Sequence, residues 1–333
     1  QVFALEELGD LFARKQDFAR AADFYGRLAS NVGIRAGTLI KLSSALQSLK
    51  KLPEATDALR QALQSSPHMT ALRSDLGSLL LQQGKTAEAV EEYKLVVAAR
   101  PEFPTAHYDL GVALSQANQP AAAAIAFRET LRLAPDHADA LVNLGVTLFQ
   151  QGQGAEGREF LLRATKLDAV AGAAHFNLAI AARKQGDPAE AVRHLEQATA
   201  SRPPSLAAIE ELVAQYSREV KYADARRVLR EAIAVVPEPL KFLNALAGLL
   251  ATCPDDSIRD GAEALRLARL ADEKTNHAHP AILSTLASAQ AETGDFAAAV
   301  ETATRALGLV SDQQAPLREV LTRQLERFKA GQP

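Results

Sequence analysis

The chain has 333 residues, of which 47% are hydrophobic, 23% are charged and 5% are aromatic, and its formal net charge is −3. This balance is typical of a folded protein and excludes a disordered, highly charged chain. Because nucleic acids and anionic membrane surfaces are bound by concentrated Lys and Arg, the near-neutral charge argues against both as partners.

A leucine recurs at intervals of 34 residues in seven consecutive predicted units, which together span residues 2–239. The series is Leu8, Leu42, Leu76, Leu110, Leu144, Leu178 and Leu212. The residue after the leucine is mostly small, as in Gly111, and a second small residue, usually Ala, follows 13 positions after the leucine. A large apolar residue stands four positions beyond that alanine. Pro closes most units, with Gly33 and Ala169 replacing it in two of them.

These recurring positions predict that each unit is a pair of helices joined by a short turn. Leu and the large apolar residues four and seven positions later share one face of a helix, so the first helix is amphipathic. Gly inside a helix costs about 1 kcal/mol relative to Ala, so its recurrence indicates that a large side chain of the second helix packs against it. A glycine is expected to end the first helix in QQGK (82–85), QQGQ (150–153) and KQGD (184–187).

The order Leu-Gly/Ala, then Ala, then Tyr/Phe/Leu, then Pro, on a period of 34 residues, resembles the tetratricopeptide repeat throughout residues 2–239. The resemblance implies an all-α fold, namely a right-handed superhelical solenoid of helix-turn-helix repeats. The chain departs from the family pattern in having no tryptophan. The position three before the recurring leucine holds Leu5, Leu39, Arg73, His107, Leu141, His175 and Ile209.

Beyond residue 239 the register changes. In an eighth predicted unit, residues 240–279, Ala264 stands 18 residues after Leu246 instead of 13, so TCPDDS (252–257) lengthens the turn between the helices. This unit resembles a final repeat seen in exported and membrane-tethered bacterial tetratricopeptide proteins. A ninth unit is predicted over residues 280–313. The last predicted element is an amphipathic capping helix within residues 314–330, which would cover the end of the solenoid.

Several features bear on where the protein resides. The chain begins at Gln1 within a predicted helix, which leaves open an upstream leader, a membrane anchor or further repeats. No apolar run approaches the roughly 20 residues of a membrane-spanning helix, so no membrane insertion by this segment is expected. The single Cys, the single Met, the missing initial Met and the likeness of the eighth unit favour a periplasmic or otherwise exported bacterial protein over a cytoplasmic one.

In tetratricopeptide proteins the first helices line a concave face where ligands lie, so the resemblance implies that residues of these helices not needed for packing meet a partner. The predicted groove residues are Tyr108, Asp109, Val112, Asn143, Val146, Phe149, Phe176, Asn177, Ile180, Arg183, Lys184 and Arg218. Asn143 and Asn177, one period apart, are expected to hold the backbone of an extended peptide through their amides. Arg183, Lys184 and Arg218 are expected to form a cationic end for an acidic segment.

A purely structural role stays open for some of these residues. Val112, Val146 and Ile180 are the kind of apolar residue that packs partly against the neighbouring helix. The three aromatic residues of the set are harder to explain in that way, because exposed aromatic side chains on a concave surface are costly unless a partner covers them.

No catalytic, cofactor or metal site is predicted. His107 and His175 occupy a position that usually holds a packing residue, and HAH (277–279) offers too few metal ligands. GQGAEG (152–157) lacks the preceding strand and the Lys of a phosphate loop, and Cys253 has no activating neighbour. We therefore predict a non-enzymatic scaffold that binds a protein or peptide segment, as a component of a multi-protein complex.

Two other functions remain open at this point. The asparagines at 143 and 177 are similar to an asparagine row in the repeats of O-linked N-acetylglucosamine transferases, which favours the substrate-recognition arm of a larger enzyme. The row covers only two units here. The second alternative is a self-assembling structural subunit whose first repeat stacks on another chain.

Overall fold

The structure, a computed structural model, describes residues 2–29, 36–311 and 314–333. Those residues form nineteen α-helices and no β-strand. In chain order the helices are α1 (Val2–Arg14), α2 (Phe18–Ala29), α3 (Ala36–Ser48), α4 (Leu52–Ser65), α5 (Thr70–Gln82), α6 (Thr86–Ala99), α7 (Pro104–Gln116), α8 (Pro120–Leu133), α9 (Ala138–Gln150), α10 (Gly154–Ala164), α11 (Asp168–Lys184), α12 (Pro188–Ala200), α13 (Leu206–Arg218), α14 (Tyr222–Val235), α15 (Leu240–Thr252), α16 (Gly261–Lys274), α17 (Pro280–Glu292), α18 (Phe296–Leu309) and α19 (Ala315–Lys329). Gly33 lies outside the described residues.

The chain divides into two compact units, Gln1–Val170 and Ala171–Pro333. Each unit is a solenoid of helix pairs, which confirms the all-α repeat fold expected from the sequence. In the first unit α5 packs on α6 and α7 on α8, while the first helices of successive pairs also touch, α5 with α7 and α7 with α9. In the second unit α15 likewise touches α17. The first helices α5, α7 and α9 of the first unit, and α15 and α17 of the second, therefore lie side by side.

The close approach of the two helices in a pair depends on the recurring glycine. A Cβ atom added at Gly111 would lie 2.6 Å from Cε1 of Phe127, which is 1% exposed. An added Cβ at Gly77 would lie 2.7 Å from Cζ of Tyr93. The prediction that a large side chain of the second helix fills the space beside the glycine is confirmed at both positions.

The turn between the two helices of a pair contains a residue with positive φ. Seven such residues stand at intervals of 34, and their φ values lie between 55° and 82°. They are Gln16, Lys50, Gly84, Asn118, Gly152, Gly186 and Val220. Glycine adopts this left-handed conformation without a steric penalty, so the predicted glycine-ended helices are confirmed at Gly84, Gly152 and Gly186. Val220 is the strained member, because a β-branched residue is disfavoured there.

The second unit ends with a longer turn and a terminal helix. Between α15 and α16 the chain folds Cys253 and Ile258 into the interior, and Arg259 connects this turn to α17 through Glu292, with Nε and Oε1 3.1 Å apart. The helix expected near the C-terminus is α19, which buries Leu321 and Phe328 against the preceding helices. No helix of the described residues is long and apolar enough to cross a membrane.

Candidate functional site

The twelve predicted groove residues fall into two sets of six, one in each unit, and all lie on first helices. None of them is fully buried: nine are half-buried, and Arg183, Lys184 and Arg218 are exposed. The first set lies on α7 and α9, and the second set lies on α11 and α13.

Tyr108 is held in place by its neighbours in the first unit. Its ring stacks on His137, with the ring centroids 4.7 Å apart, and is tilted against Phe127 at 6.0 Å. Asn143 donates a hydrogen bond from Nδ2 to the Tyr108 hydroxyl oxygen, over 3.2 Å. Burial raises the pKa of Tyr108, so the hydroxyl remains protonated. The ring is thus a fixed, half-exposed platform.

The same surface carries two carboxylates that are partly removed from water. Burial raises the pKa of Asp109 and of Asp75, which occupies the equivalent position one repeat earlier. The hydroxyl of Tyr93 lies near both, and burial together with the charges of Asp109 and Asp75 raises the pKa of Tyr93 to about 12. A poorly solvated carboxylate gains most from a cationic group, so this part of the surface suits a Lys or Arg side chain.

Phe149 has a packing role that the sequence left open. A Cβ atom added at Gly157 on α10 would lie 3.0 Å from Cδ2 of Phe149, so the ring packs over that glycine. The half-buried Val112 and Val146 lie on the same first helices, α7 and α9. Phe149 therefore packs against α10, while part of its surface, like part of Val112 and Val146, remains exposed.

The second unit contains a pocket formed by α11, α12 and α13. Its empty volume is about 420 Å³, a figure that includes open solvent at its mouth. The residues around it are Phe176, Ala179, Ile180, Arg183, Pro188, Ala191, Val192, Leu195, Glu211 and Gln215. Three of the twelve predicted residues line it, and α12 supplies an apolar wall that the sequence analysis did not assign to a groove.

Charged and polar groups surround the mouth of this pocket. Nη1 of Arg183 lies 2.5 Å from Oε1 of Glu211, and Nη2 of Arg218 lies 3.4 Å from the same oxygen. Arg218 also donates from Nη2 to Oε1 of Gln215 over 2.8 Å. Lys184, at the end of α11, is exposed. Two of the three predicted cations thus share one carboxylate of the chain itself.

The two asparagines use their amide donors inside the chain. Nδ2 of Asn143 is bonded to Tyr108, and Nδ2 of Asn177 donates to the backbone oxygen of Ala173 over 2.9 Å. Each Nδ2 carries two hydrogens, and the bond named here uses one of them. That Asn143 and Asn177 together bind the backbone of an extended peptide stays a prediction.

His107 and His277 have partners close by in the chain. Nε2 of His107, a residue 9% exposed, lies 2.8 Å from the backbone oxygen of Pro101. In the HAH segment Nδ1 of His277 lies 2.7 Å from Oδ2 of Asp272. Cys253 is buried. In the part of the chain that the structure describes, no three or more His, Cys, Asp and Glu side chains are grouped to hold a metal ion.

Three family models match the chain, and each describes a tetratricopeptide repeat. They cover residues 46–114, 136–203 and 280–305. A comparison with curated proteins gives no match. The repeated helix pairs, the packed glycines and these matches define the class of the protein, a helical repeat scaffold for protein interactions. The chain is a tetratricopeptide repeat protein.

Solved structures of MamA are similar to part of the chain. MamA 41-end from Desulfovibrio magneticus RS-1 is 19% identical, with a TM-score of 0.47, and the match covers 50% of this chain and 95% of that one. A second MamA structure is 18% identical, with a TM-score of 0.47, and covers 51% of this chain and 92% of that one.

Proposed function

We propose that this chain is a non-catalytic scaffold that binds an extended segment of a partner protein through its first helices. The principal anchor is the pocket between α11, α12 and α13. A large apolar side chain of the partner occupies the space lined by Phe176, Ile180 and Leu195, and an acidic side chain nearby pairs with Arg183 and Arg218. The observation that carries the proposal is the coincidence of this apolar pocket with the guanidinium of Arg183 in its lining and that of Arg218 beside Glu211, another lining residue.

The composition of the pocket agrees with the usual division of binding energy. Apolar residues that fill a pocket supply most of the affinity, and charged groups at the mouth steer the partner and set its orientation. Arg favours carboxylate partners because its planar guanidinium presents two parallel N–H groups. The preferred segment therefore combines one large apolar residue with a neighbouring Asp or Glu.

The first-helix surface of the first unit is proposed as an additional contact for the partner. Tyr108 offers a fixed aromatic face, and Asp109 favours a cationic side chain. Asn143, with its amide on the Tyr108 hydroxyl, adds a polar group at the edge of that face. The half-buried Phe149 contributes apolar area there.

A display selection tests the principal anchor. Random short peptides are selected for binding to the full chain, and the affinities of the enriched peptides are then measured by fluorescence anisotropy. We expect them to share a large apolar residue next to Asp or Glu. We also expect Ile180→Glu, which places a charge in the pocket, to weaken binding by at least about tenfold.

The matched control is Ile125→Glu. Ile125 is 68% exposed on α8, outside the first-helix surface, so this change adds the same charge without touching the pocket. Peptides that bind the Ile180→Glu variant as tightly as the unmodified chain would contradict the proposal. Equal losses of peptide affinity in the two variants would also contradict it.

A further inference from the structure

Two histidines of the second unit face each other across the α11–α12 pair. Nδ1 of His175 lies 3.2 Å from Nδ1 of His194, and the two rings stack with their centroids 5.4 Å apart. Gln197, one turn beyond His194 on α12, places Oε1 within 3.1 Å of the same Nδ1 atom. His194 is 9% exposed, and its Nδ1 atom lies close to two other potential ligand atoms, one on the half-buried His175 and one on the exposed Gln197.

We propose that this cluster binds one divalent transition-metal ion, with Zn²⁺ as the representative case. Nδ1 of His175, Nδ1 of His194 and Oε1 of Gln197 are the protein ligands, and water completes a tetrahedral shell. Zn–N bonds are about 2.0–2.1 Å long, so two nitrogens at neighbouring corners of a tetrahedron lie about 3.3 Å apart. The separation of 3.2 Å in the structure fits that geometry closely.

The surroundings of the pair agree with metal binding. A histidine that binds a metal ion must be neutral. On the far side of the second ring, Nε2 of His194 lies 3.9 Å from Oε1 of Glu190. A carboxylate near the outer nitrogen is the usual partner of a metal-bound imidazole, because it orients the ring and raises its basicity. Imidazole ligands also suit Zn²⁺, Cu²⁺ and Ni²⁺ better than Mg²⁺ or Ca²⁺.

The sequence gives little sign of this cluster. His175 and His194 are 19 residues apart on different helices and match no common ligand spacing, and the third ligand is an amide. Each histidine directly precedes a residue of the pocket, namely Phe176 and Leu195. A metal ion at the cluster would fasten α11 to α12, which form two of the three walls of that pocket.

Metal titration of the full chain tests the proposal. The protein is first freed of metal with a chelator and then titrated separately with Zn²⁺ and Ni²⁺. We expect calorimetry to show one ion bound per chain, and Tm to rise by about 3 °C or more at saturating metal. Bound Co²⁺ should give the visible absorption bands of a tetrahedral site. If neither Zn²⁺ nor Ni²⁺ gives a heat of binding or a change in Tm, the proposal is overturned.

The variants distinguish this cluster from other histidines. His175→Gln is the main one, because His175 is half-buried and its replacement is tolerated more easily than that of His194. His175→Gln should abolish the rise in Tm on metal binding. His194→Gln should do the same, provided that circular dichroism shows this variant to be folded. His279→Gln, in the exposed HAH segment, should bind metal as the unmodified chain does. A Tm rise that persists in His175→Gln, or that disappears in His279→Gln, would overturn the assignment.

Discussion

Arg183 on α11 and Glu211 on α13 are joined side chain to side chain, with Nη1 and Oε1 2.5 Å apart. Arg218 approaches the same oxygen at 3.4 Å. Glu211 therefore takes the position that we propose for a partner's carboxylate, shared between two guanidiniums at the mouth of the pocket. The side chains of Arg183 and Glu211 are 56% and 32% exposed, so this pairing contributes little to stability and is easily exchanged.

Glu211→Gln should raise the affinity for acidic peptides obtained by the display selection, because both arginines lose an internal competitor. We expect a gain of about threefold to tenfold at low salt, with a change in the free energy of unfolding of less than about 1 kcal/mol. Fluorescence anisotropy measures the gain, which should shrink at high salt as the charges are screened.

Glu210→Gln is the control for that substitution. Glu210 is the preceding residue of α13 but pairs with Lys241, with Oε1 and Nζ 2.5 Å apart. Its removal should leave peptide affinity unchanged. An equal gain in both variants would show that net charge, and not the shared carboxylate, governs binding.

Gly111→Ala should destabilise the first unit, because the new methyl group would meet the buried ring of Phe127 at 2.6 Å. Overpacking costs about 1–3 kcal/mol and the better helix propensity of Ala returns about 1, so we expect a net loss of up to about 2 kcal/mol in the free energy of unfolding. Urea unfolding followed by circular dichroism gives the value. Gly248→Ala on α15, where the nearest atom would be 3.8 Å away, should instead stabilise by about 0.5–1 kcal/mol. Losses in both variants would contradict the packing argument.

Val220→Gly should stabilise the second unit. Val220 has φ of 61° and is 69% exposed, so the change relieves backbone strain and removes few contacts. The left-handed conformation costs a non-glycine residue about 1–2 kcal/mol, and the added freedom of Gly in the unfolded chain offsets about 0.4–1, which leaves a gain of up to about 1.6 kcal/mol. Thermal unfolding measures this gain in stability.

Asn118→Gly, at the equivalent turn, is the control and should change stability less, because Asn tolerates the left-handed conformation. A larger gain for Asn118→Gly than for Val220→Gly would contradict the backbone strain at Val220.

The sequence predicted the repeats well and the details of the site less well, for a physical reason. Leu144, Gly145 and the residues that pack with them recur because every helix pair solves the same packing problem, so their spacing is visible along the chain. The stacking of Tyr108 on His137 does not recur, since it depends on side chains that only one repeat carries. The contribution of α12 to the pocket was likewise missed, because a period locates a helix but not how far its side chains reach into the adjoining space.

Asp109→Asn should stabilise the first unit at pH 7, and the gain should vanish in acid. Burial raises the pKa of Asp109 above its ordinary value of 3.8, so the folded state holds this proton more tightly than the unfolded chain does. The protonated carboxyl is favourable below pH 3.8, and that contribution is lost as the pH rises through the folded-state pKa, which leaves a destabilising charge at neutral pH. Asn has no charge to desolvate, so Tm of the variant should exceed that of the unmodified chain at pH 7, with a difference that narrows toward pH 3.8. Asp136→Asn, which removes an exposed carboxylate of the same unit, is the control for the loss of one negative charge. A Tm difference for Asp109→Asn that stays constant with pH would refute the desolvation of this groove carboxylate.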